Sequence, residues 1–205
     1  LHKQFTKLSN LEVTHYCITD RPDELPKFIK PIYPFKKSKG WWNKLNLFSS
    51  DMPPGNILYM DLDIVILHNF DDEISVMLKR EESICCVSDA INWMDTKFSS
   101  SFMLFKSGVH EKVFKNFVEN EKNINNYKGG DQVWTAPQIK SIFYVDELFP
   151  NLKKNFKFHL SKRVGNKYTI PINIDKNIKL IDCTGNPKPH ELEKLPYIKN
   201  NWHLV

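Results

Sequence analysis

Apolar residues follow two different periods along this chain. In some segments they recur every three or four positions, as on one face of a helix, and in others they form short runs typical of strands. Helical spacing occurs in 1–9, 41–50, 71–80 and 109–122, and a short helix is expected within 129–138. The predicted strands and extended segments are 11–19, 27–34, 57–67, 83–89, 100–108, 140–146 and 177–185. Because strands alternate with helices, the pattern predicts an α/β fold with a mostly parallel central sheet flanked by helices.

Two aspartates interrupt the most apolar of the predicted strands, ILYMDLDIVIL at 57–67. Burying a carboxylate is costly unless a positive charge compensates it. Residues two apart in a strand point to the same side, so Asp61 and Asp63 are expected to converge while Leu62 faces the core. A divalent cation such as Mn²⁺ or Mg²⁺ between them would relieve their repulsion. The alternative is a turn at a strand end, where both carboxylates accept hydrogen bonds from backbone N–H groups or face water.

An acid and an amide follow a Gly-Gly pair at 129–130. A flexible turn there would deliver Asp131 and Gln132 into a cleft. The alternative is equally supported by the sequence, namely that Asp131 is the N-cap of the short helix that follows.

A proline-punctuated loop, DCTGNPKPH, follows the last predicted strand. It carries Asp182, a candidate third metal ligand, together with Gly185, Lys188 and His190. Lys188 could bind a phosphate as a point charge. An ordinary turn with a solvent-exposed lysine explains the same residues, and composition alone does not separate these two interpretations.

The second predicted helix combines aromatic residues with a lysine. Trp41, Leu45 and Phe48 would share one face of an α-helix, and both Trp41 and Trp42 are predicted to lie in the core. Lys44 is a candidate phosphate contact, with a solvated surface lysine as the alternative.

Composition limits the class of protein. With 205 residues, of which 41% are hydrophobic, the chain is expected to form one domain with a substantial core. No apolar run is long enough for a membrane span, and since the chain begins at Leu1 rather than Met, a lost signal or anchor stays open. The four cysteines form neither a zinc-site nor a disulfide pattern, which predicts a reducing, cytoplasmic setting.

The formal charge of +5 comes from lysines scattered along the chain. Scattered lysines favour a solvated surface. The alternative is affinity for anionic partners, such as nucleotide phosphates or an acidic membrane surface, so peripheral membrane association stays open. Dedicated nucleic-acid binding would require a basic stripe with interleaved aromatics, which the sequence lacks. We therefore expect no nucleic-acid partner.

The order of these segments resembles that of a known family, the nucleotide-sugar-dependent glycosyltransferases of the GT-A fold. The resemblance is to glycosyltransferase family 8 (glycogenin-like) and its uncharacterised bacterial and viral relatives, and it runs from about residue 11 to 203. It is carried by GWWNKLNLFSS, GNILYMDLDIVILHNFDDEI, SSSFMLFKSG, GGDQVW and DCTGNPKPHELEKLPYIKNNW. The resemblance implies one Rossmann-like GT-A domain over 1–205. Its reaction would move a sugar from a nucleoside diphosphate sugar, such as a UDP-sugar, to a hydroxyl acceptor such as a glycan.

The resemblance also implies roles for individual residues. Asp61 and Asp63 would bind Mn²⁺ or Mg²⁺ that bridges the donor diphosphate, and Asp182 would be the third ligand where family members have His. Asp131 and Gln132 match the acid–amide pair that faces the transferred sugar. Contacts to the donor are expected from Lys44, Asp61, Leu62, Asp63, Ser100, Ser101, Gly185 and Lys188.

The chain departs from the family at two places. His190 stands where many members have Trp, and the strand and loop that normally cradle the nucleoside would precede Leu1. Either about 20–30 residues are missing from the sequence or the nucleoside pocket is incomplete. Two other functions therefore stay open. One is a non-catalytic nucleotide-sugar or glycan-binding domain. The other is a metal-dependent nucleotidyltransferase or phosphohydrolase, which would be expected to carry a Gly-rich phosphate loop or more clustered carboxylates.

Overall fold

The computed structural model describes residues 1–124, 127–164 and 167–202, so the last residue of the predicted family match, 203, lies outside it. The α-helices of these ranges are α1 (His2–Leu8), α2 (Asp71–Leu78), α3 (Glu111–Glu119), α4 (Glu121–Ile124), α5 (Gly130–Thr135) and α6 (Pro196–Trp202). The strands are β1 (Tyr16–Ile18), β2 (Lys30–Ile32), β3 (Asn56–Met60), β4 (Ile64–Ile66), β5 (Ile84–Ser88), β6 (Phe98–Lys106), β7 (Ile142–Tyr144), β8 (Lys153–Asn155), β9 (Arg163–Val164), β10 (Lys167–Tyr168) and β11 (Leu180–Asp182). Shorter helical turns are the 3₁₀ segments Pro22–Glu24, Gly40–Phe48, Trp93–Asp95, Ala136–Gln138, Val145–Glu147 and Pro189–Leu192, and the π-helical segment Phe156–Leu160.

Two sheets organise the fold. The four-stranded sheet has the order β3-β6-β5-β7, in which β6 is antiparallel to both of its neighbours and β5 is parallel to β7. The three-stranded sheet has the order β4-β11-β8, in which β11 is antiparallel to β4 and parallel to β8. Two further strand pairs lie outside these sheets: β1 and β2 are parallel, and β9 and β10 are antiparallel.

The α/β class is confirmed, but the prediction of a mostly parallel sheet is wrong because both sheets are mixed. Alternation of strands with helices implies parallel pairing only if each helix crosses over between neighbouring strands. Here the long central strand β6 runs antiparallel to β5, with a register shift between Cys86 and Val87. The GT-A assignment stays a prediction.

The predicted strand at 57–67 is two strands in different sheets. Met60, at the end of β3, pairs with Phe102 in the four-stranded sheet, whereas Ile64, at the start of β4, pairs with Asp182 in the three-stranded sheet. The chain therefore turns between them at 61–63. The turn leaves Leu62 78% exposed, so the prediction that Leu62 faces the core is wrong.

The core lies on both faces of the four-stranded sheet. One face packs against the 3₁₀ helix Gly40–Phe48 and α3, and the opposite face packs against α1, α2 and β4. A third cluster joins the three-stranded sheet to α6. The junction between the two sheets, where the aspartates lie, is consequently anchored from several sides.

The second predicted helix is a 3₁₀ helix rather than an α-helix, which changes the side chains that it buries. A 3₁₀ helix has three residues per turn, so residues three apart share a face. Trp42, Leu45 and Phe48 accordingly form one buried stripe, and Asn46 and Leu47 near the end of the segment are buried as well. The predicted burial of Trp42 is confirmed, whereas Trp41 is 62% exposed and the prediction that it lies in the core is wrong.

The other predicted helices are present as α1, α2, α3 and α5. Asp71, Asp72 and Glu73 occupy the first turn of α2, where their negative charges interact favourably with the positive end of the helix dipole. In the described ranges, no helix has both the length and the apolar composition needed to cross a bilayer.

Candidate functional site

The turn at 61–63 lies where the two sheets meet and is held by backbone hydrogen bonds to each. The amide of Asp61 donates to the carbonyl of Ser101 in β6 (2.9 Å), and the carbonyl of Asp63 accepts from the amide of Cys183, directly after β11 (3.1 Å). A third hydrogen bond closes the turn itself, from the Ile64 amide to the Asp61 carbonyl (3.2 Å). The two carboxylates are therefore fixed by different sheets.

Lys44 contacts three other residues of the site. Its Nζ is 2.9 Å from Oδ1 of Asp61 and 3.3 Å from Oδ2 of Asp131, and it donates to Oγ of Ser100 (3.1 Å). Burial opposes the charged form of Lys44, but the nearby charges of Asp131 and Asp61 outweigh this and raise its pKa. A permanently charged ammonium therefore joins the helix Gly40–Phe48 to β6 and α5.

Tyr59 completes the surroundings of Asp61. Its hydroxyl donates to Oδ1 of Asp61 (2.6 Å). Burial, followed by the negative charge of Asp61, raises the pKa of Tyr59. Tyr59 consequently stays neutral and acts as a hydrogen-bond donor.

Lys188 forms an ion pair with Asp63, the second aspartate of the turn. Its Nζ lies 2.6 Å from Oδ2 of Asp63. The other oxygen, Oδ1, is shielded from solvent and has no hydrogen-bond partner among the described residues. Gly185 opens this loop with φ of +84°, in the left-handed region that favours glycine. His190, two residues beyond Lys188, is exposed.

Asp182, at the end of β11, is almost fully buried. Its Oδ2 accepts from Ser101 Oγ (3.0 Å) and contacts Nζ of Lys153, while its Oδ1 accepts from the amide (2.8 Å) and the hydroxyl of Thr184. Burial works against ionisation of Asp182. The charge and hydrogen bond of Lys153 and the donors of Thr184 prevail and lower its pKa to about 2. Both oxygens already accept from protein groups, an arrangement that does not favour Asp182 as a third metal ligand.

Lys153, like Tyr59, is not among the residues that the sequence predicts for this site. It lies in β8, with its side chain 6% exposed, and donates to Ser101 Oγ (2.7 Å) as well as contacting Asp182. Nothing in the local sequence distinguishes Lys153 from its neighbour Lys154. Only the pairing of β8 with β11 brings its strand beside Asp182.

Asp131 enters the site from the first turn of α5. Gly129 and Gly130 both have positive φ, +94° and +69°, and Gly129 is the N-cap, so the alternative that Asp131 caps the helix is wrong. Asp131 is buried, and its Oδ2 contacts the Lys44 ammonium without hydrogen-bond geometry. Gln132 points elsewhere, with its Nε2 3.5 Å from Oδ2 of Asp89.

A divalent cation fits part of this arrangement. Carboxylate oxygens are the ligands that Mg²⁺ and Mn²⁺ prefer, and Oδ1 of Asp63 is a shielded acceptor without a donor. Both oxygens of Asp61 already contact the Lys44 ammonium, and its Oδ1 also accepts from Tyr59, so Asp61 would bind a metal only if it gave up contact with Lys44. Within the described ranges, however, no cluster of three or more His, Cys, Asp and Glu side chains is placed to hold a metal ion. A cation here would therefore need the oxygens of a bound ligand to complete its shell.

Comparison with protein-family models and with curated proteins finds no match to this chain. The family resemblance stays a prediction.

Proposed function

We propose that the protein is a nucleotide-sugar-dependent glycosyltransferase. The observation that carries this proposal is the turn at 61–63, whose two partly buried carboxylates each face a lysine from a different part of the chain. Lys44 and Lys188 bring two positive charges to the point where the sheets meet. Two cations and two carboxylates in one place suit a ligand that carries both phosphates and a metal.

The residues of this chain would act on the leaving diphosphate. Lys188, which is partly exposed, would neutralise the negative charge that develops on the phosphate oxygens as the sugar departs. Asp61 and Asp63 would hold Mn²⁺ or Mg²⁺, which supplies further charge stabilisation when bound. Asp131, held by Lys44, would orient the transferred sugar through its carboxylate.

The ion pairs also support a second candidate, a non-catalytic domain that binds a nucleotide sugar or a glycan. Lys44 contacts Asp61 and Lys188 contacts Asp63, so the charges of the two carboxylates are compensated without a metal ion. A protein of this kind would bind its ligand without any metal requirement. This difference makes the metal dependence of binding the decisive measurement.

The test is calorimetric titration with UDP and UDP-glucose, each with and without Mn²⁺. The variants are wild type, Asp61→Asn/Asp63→Asn, and Asp20→Asn. Asn preserves the shape of Asp and removes its charge. Asp20 is a matched control because its salt bridge with Lys37 lies on the exposed surface. We expect Mn²⁺-dependent binding that weakens at least tenfold in the double variant and stays unchanged in Asp20→Asn, with all three proteins folded by circular dichroism.

Binding that is equally strong without metal and unaffected in the double variant would refute the proposal. Release of UDP after addition of methyl glycosides then separates the two candidates. A transferase releases UDP faster when an acceptor is present, whereas a binding domain does not.

A further inference from the structure

Trp41 is an exposed aromatic residue beside the candidate site. It lies three residues before Lys44 in the 3₁₀ helix Gly40–Phe48, so the two side chains leave the helix on the same side. Lys44 extends to Asp61 and Asp131, whereas 62% of Trp41 remains exposed. A large indole left in solvent next to buried charges is not explained by packing of the core, because the neighbouring Trp42 occupies the core position.

The indole of Trp41 lies directly against the start of α5. A Cβ added to Gly130 would come within 3.1 Å of the indole Nε1 and 3.3 Å of Cδ1 and Cε2. Glycine at this position therefore lets the ring approach the backbone that presents Asp131, the next residue. The exposed part of the ring consequently lies next to the backbone that carries the buried Asp131.

This pairing of groups has the chemistry of a site for a sugar ring. A pyranose presents apolar C–H groups on its faces and hydroxyl groups around its edge, and the exposed indole matches the first while a carboxylate acceptor matches the second. Asp131 is 7% exposed, and its Oδ2 is shielded from solvent and contacts the Lys44 ammonium at 3.3 Å. A ligand hydroxyl would therefore donate to the other oxygen, Oδ1, while Lys44 compensates the charge at Oδ2.

We propose that Trp41 is the platform on which a pyranose ring stacks, with Asp131 accepting from a hydroxyl of that ring. The inference rests on the proposed function, because it adds a sugar subsite to the phosphate-binding end of the site. The sugar could be carried by the nucleotide donor or by the acceptor glycan. Both sources share the same ring chemistry, and the experiment below separates them.

The experiment compares wild type with Trp41→Ala, Trp41→Phe and the control Phe28→Ala. Phe28 is a comparably exposed aromatic residue that stacks on His2 rather than on a residue of the site. The probes are UDP, UDP-glucose, UDP-galactose, and the methyl glycosides of glucose and galactose, with Mn²⁺ present throughout. Affinity is measured by calorimetry for the nucleotides and by NMR titration for the glycosides. The indole N–H signal that disappears in Trp41→Phe identifies Trp41 in the spectrum of the wild type.

We expect Trp41→Ala to weaken binding of the sugar-bearing probes about tenfold, as for other stacked rings, and to change UDP affinity less than twofold. Trp41→Phe should retain most of the affinity, and Phe28→Ala should resemble wild type. The Trp41 indole signal should shift when those probes are added. A loss confined to the UDP-sugars assigns the ring to the donor, and a loss confined to the methyl glycosides assigns it to the acceptor.

Three results would overturn the platform. The first is an equal loss of affinity for UDP and UDP-glucose in Trp41→Ala, which would make Trp41 a base-stacking residue. The second is unchanged affinity of Trp41→Ala for every sugar-bearing probe. The third is a wild type that binds none of these probes. Failure of the proposed function looks different. In that case the methyl glycosides bind and depend on Trp41, but nucleotide binding is insensitive to Asp61→Asn/Asp63→Asn.

Discussion

The buried pair of Lys153 and Asp182 allows a quantitative prediction about stability. Replacing Lys153 by Met removes the ammonium and keeps most of the volume of the side chain. Asp182 then remains buried with Ser101 and Thr184 as donors but without a compensating charge. Removing one partner of a buried ion pair costs about 3–5 kcal/mol. We expect Lys153→Met to lower the free energy of unfolding by that amount at pH 7.

The lowered pKa of Asp182 makes the contribution of this carboxylate to stability depend on pH. Its decrease from 3.8 to about 2 on folding corresponds to roughly 2 kcal/mol of stability in the wild type. Because the folded pKa lies below the unfolded value, this contribution is complete above pH 3.8 and is lost as the pH falls toward 2. In Lys153→Met the sign reverses, since burial without a cation raises the pKa of the same carboxyl.

The assay is urea unfolding followed by circular dichroism at several pH values between 5 and 8. The variant should gain stability relative to wild type as the pH falls, because the folded variant takes up a proton at Asp182 that the unfolded chain does not. The double variant Lys153→Met/Asp182→Asn should recover most of the loss at pH 7, because it no longer buries a charge. Lys154→Met is the matched control on the same strand, and we expect less than about 1 kcal/mol from this half-buried position.

Two results would refute the reasoning about this pair. One is a loss in Lys153→Met no larger than that in Lys154→Met. The other is a loss that stays constant with pH and is not recovered when Asp182 is also replaced. The first result would mean that the charge of Lys153 contributes little to stability, and the second that the loss does not come from an uncompensated charge on Asp182.

Further predictions concern the buried core, the accessibility of the thiols and the hydrogen bonds that Asp71 accepts. Phe117→Ala should destabilise the protein by about 3–5 kcal/mol in urea unfolding, because Phe117 is fully buried, whereas the half-exposed Phe158→Ala should cost far less. In the native state, a thiol reagent should modify Cys17 much faster than the three buried cysteines, and all four only after unfolding; rapid native modification of several thiols would contradict this burial. Asp71→Ala should cost about 1–3 kcal/mol, because its carboxylate accepts from Ser9, Asn10 and Asn69, whereas the exposed Asp72→Ala should be nearly neutral in the same assay.

Much of the candidate site was predictable because it consists of chemically conspicuous residues. Two carboxylates within an apolar run, and a lysine on a later proline-punctuated loop, pointed to Asp61, Asp63 and Lys188. Lys188 pairs with Asp63, and Asp61, at the same turn, pairs with Lys44. Lys153 was not predictable, because a lysine in a short strand looks the same in sequence whether it faces solvent or a buried carboxylate. The direction of Gln132 toward Asp89 likewise depends on a residue from a distant loop.

The 3₁₀ helix Gly40–Phe48 shows how a correct element can still give a wrong set of buried residues. The sequence predicts a helix there, and a helical segment is present. With 3.6 residues per turn Trp41 would be buried, but with three residues per turn Trp42 is buried and Trp41 is exposed. The change of one position moves an aromatic ring from the expected core to the edge of the candidate site.

The sequence by itself determined the α/β class, the positions of most helices and the unusual placement of two aspartates, because helical periodicity and charge are properties of nearby residues. Only the tertiary structure decided strand direction, the division of 57–67 between two sheets, and the lysine that compensates each carboxylate. Those features depend on pairing between distant segments, such as Met60 with Phe102 and Ile64 with Asp182. The free energy of such pairings depends on residues far apart in the chain and cannot be read from a local segment. The charges of the site are therefore compensated only when both sheets have formed.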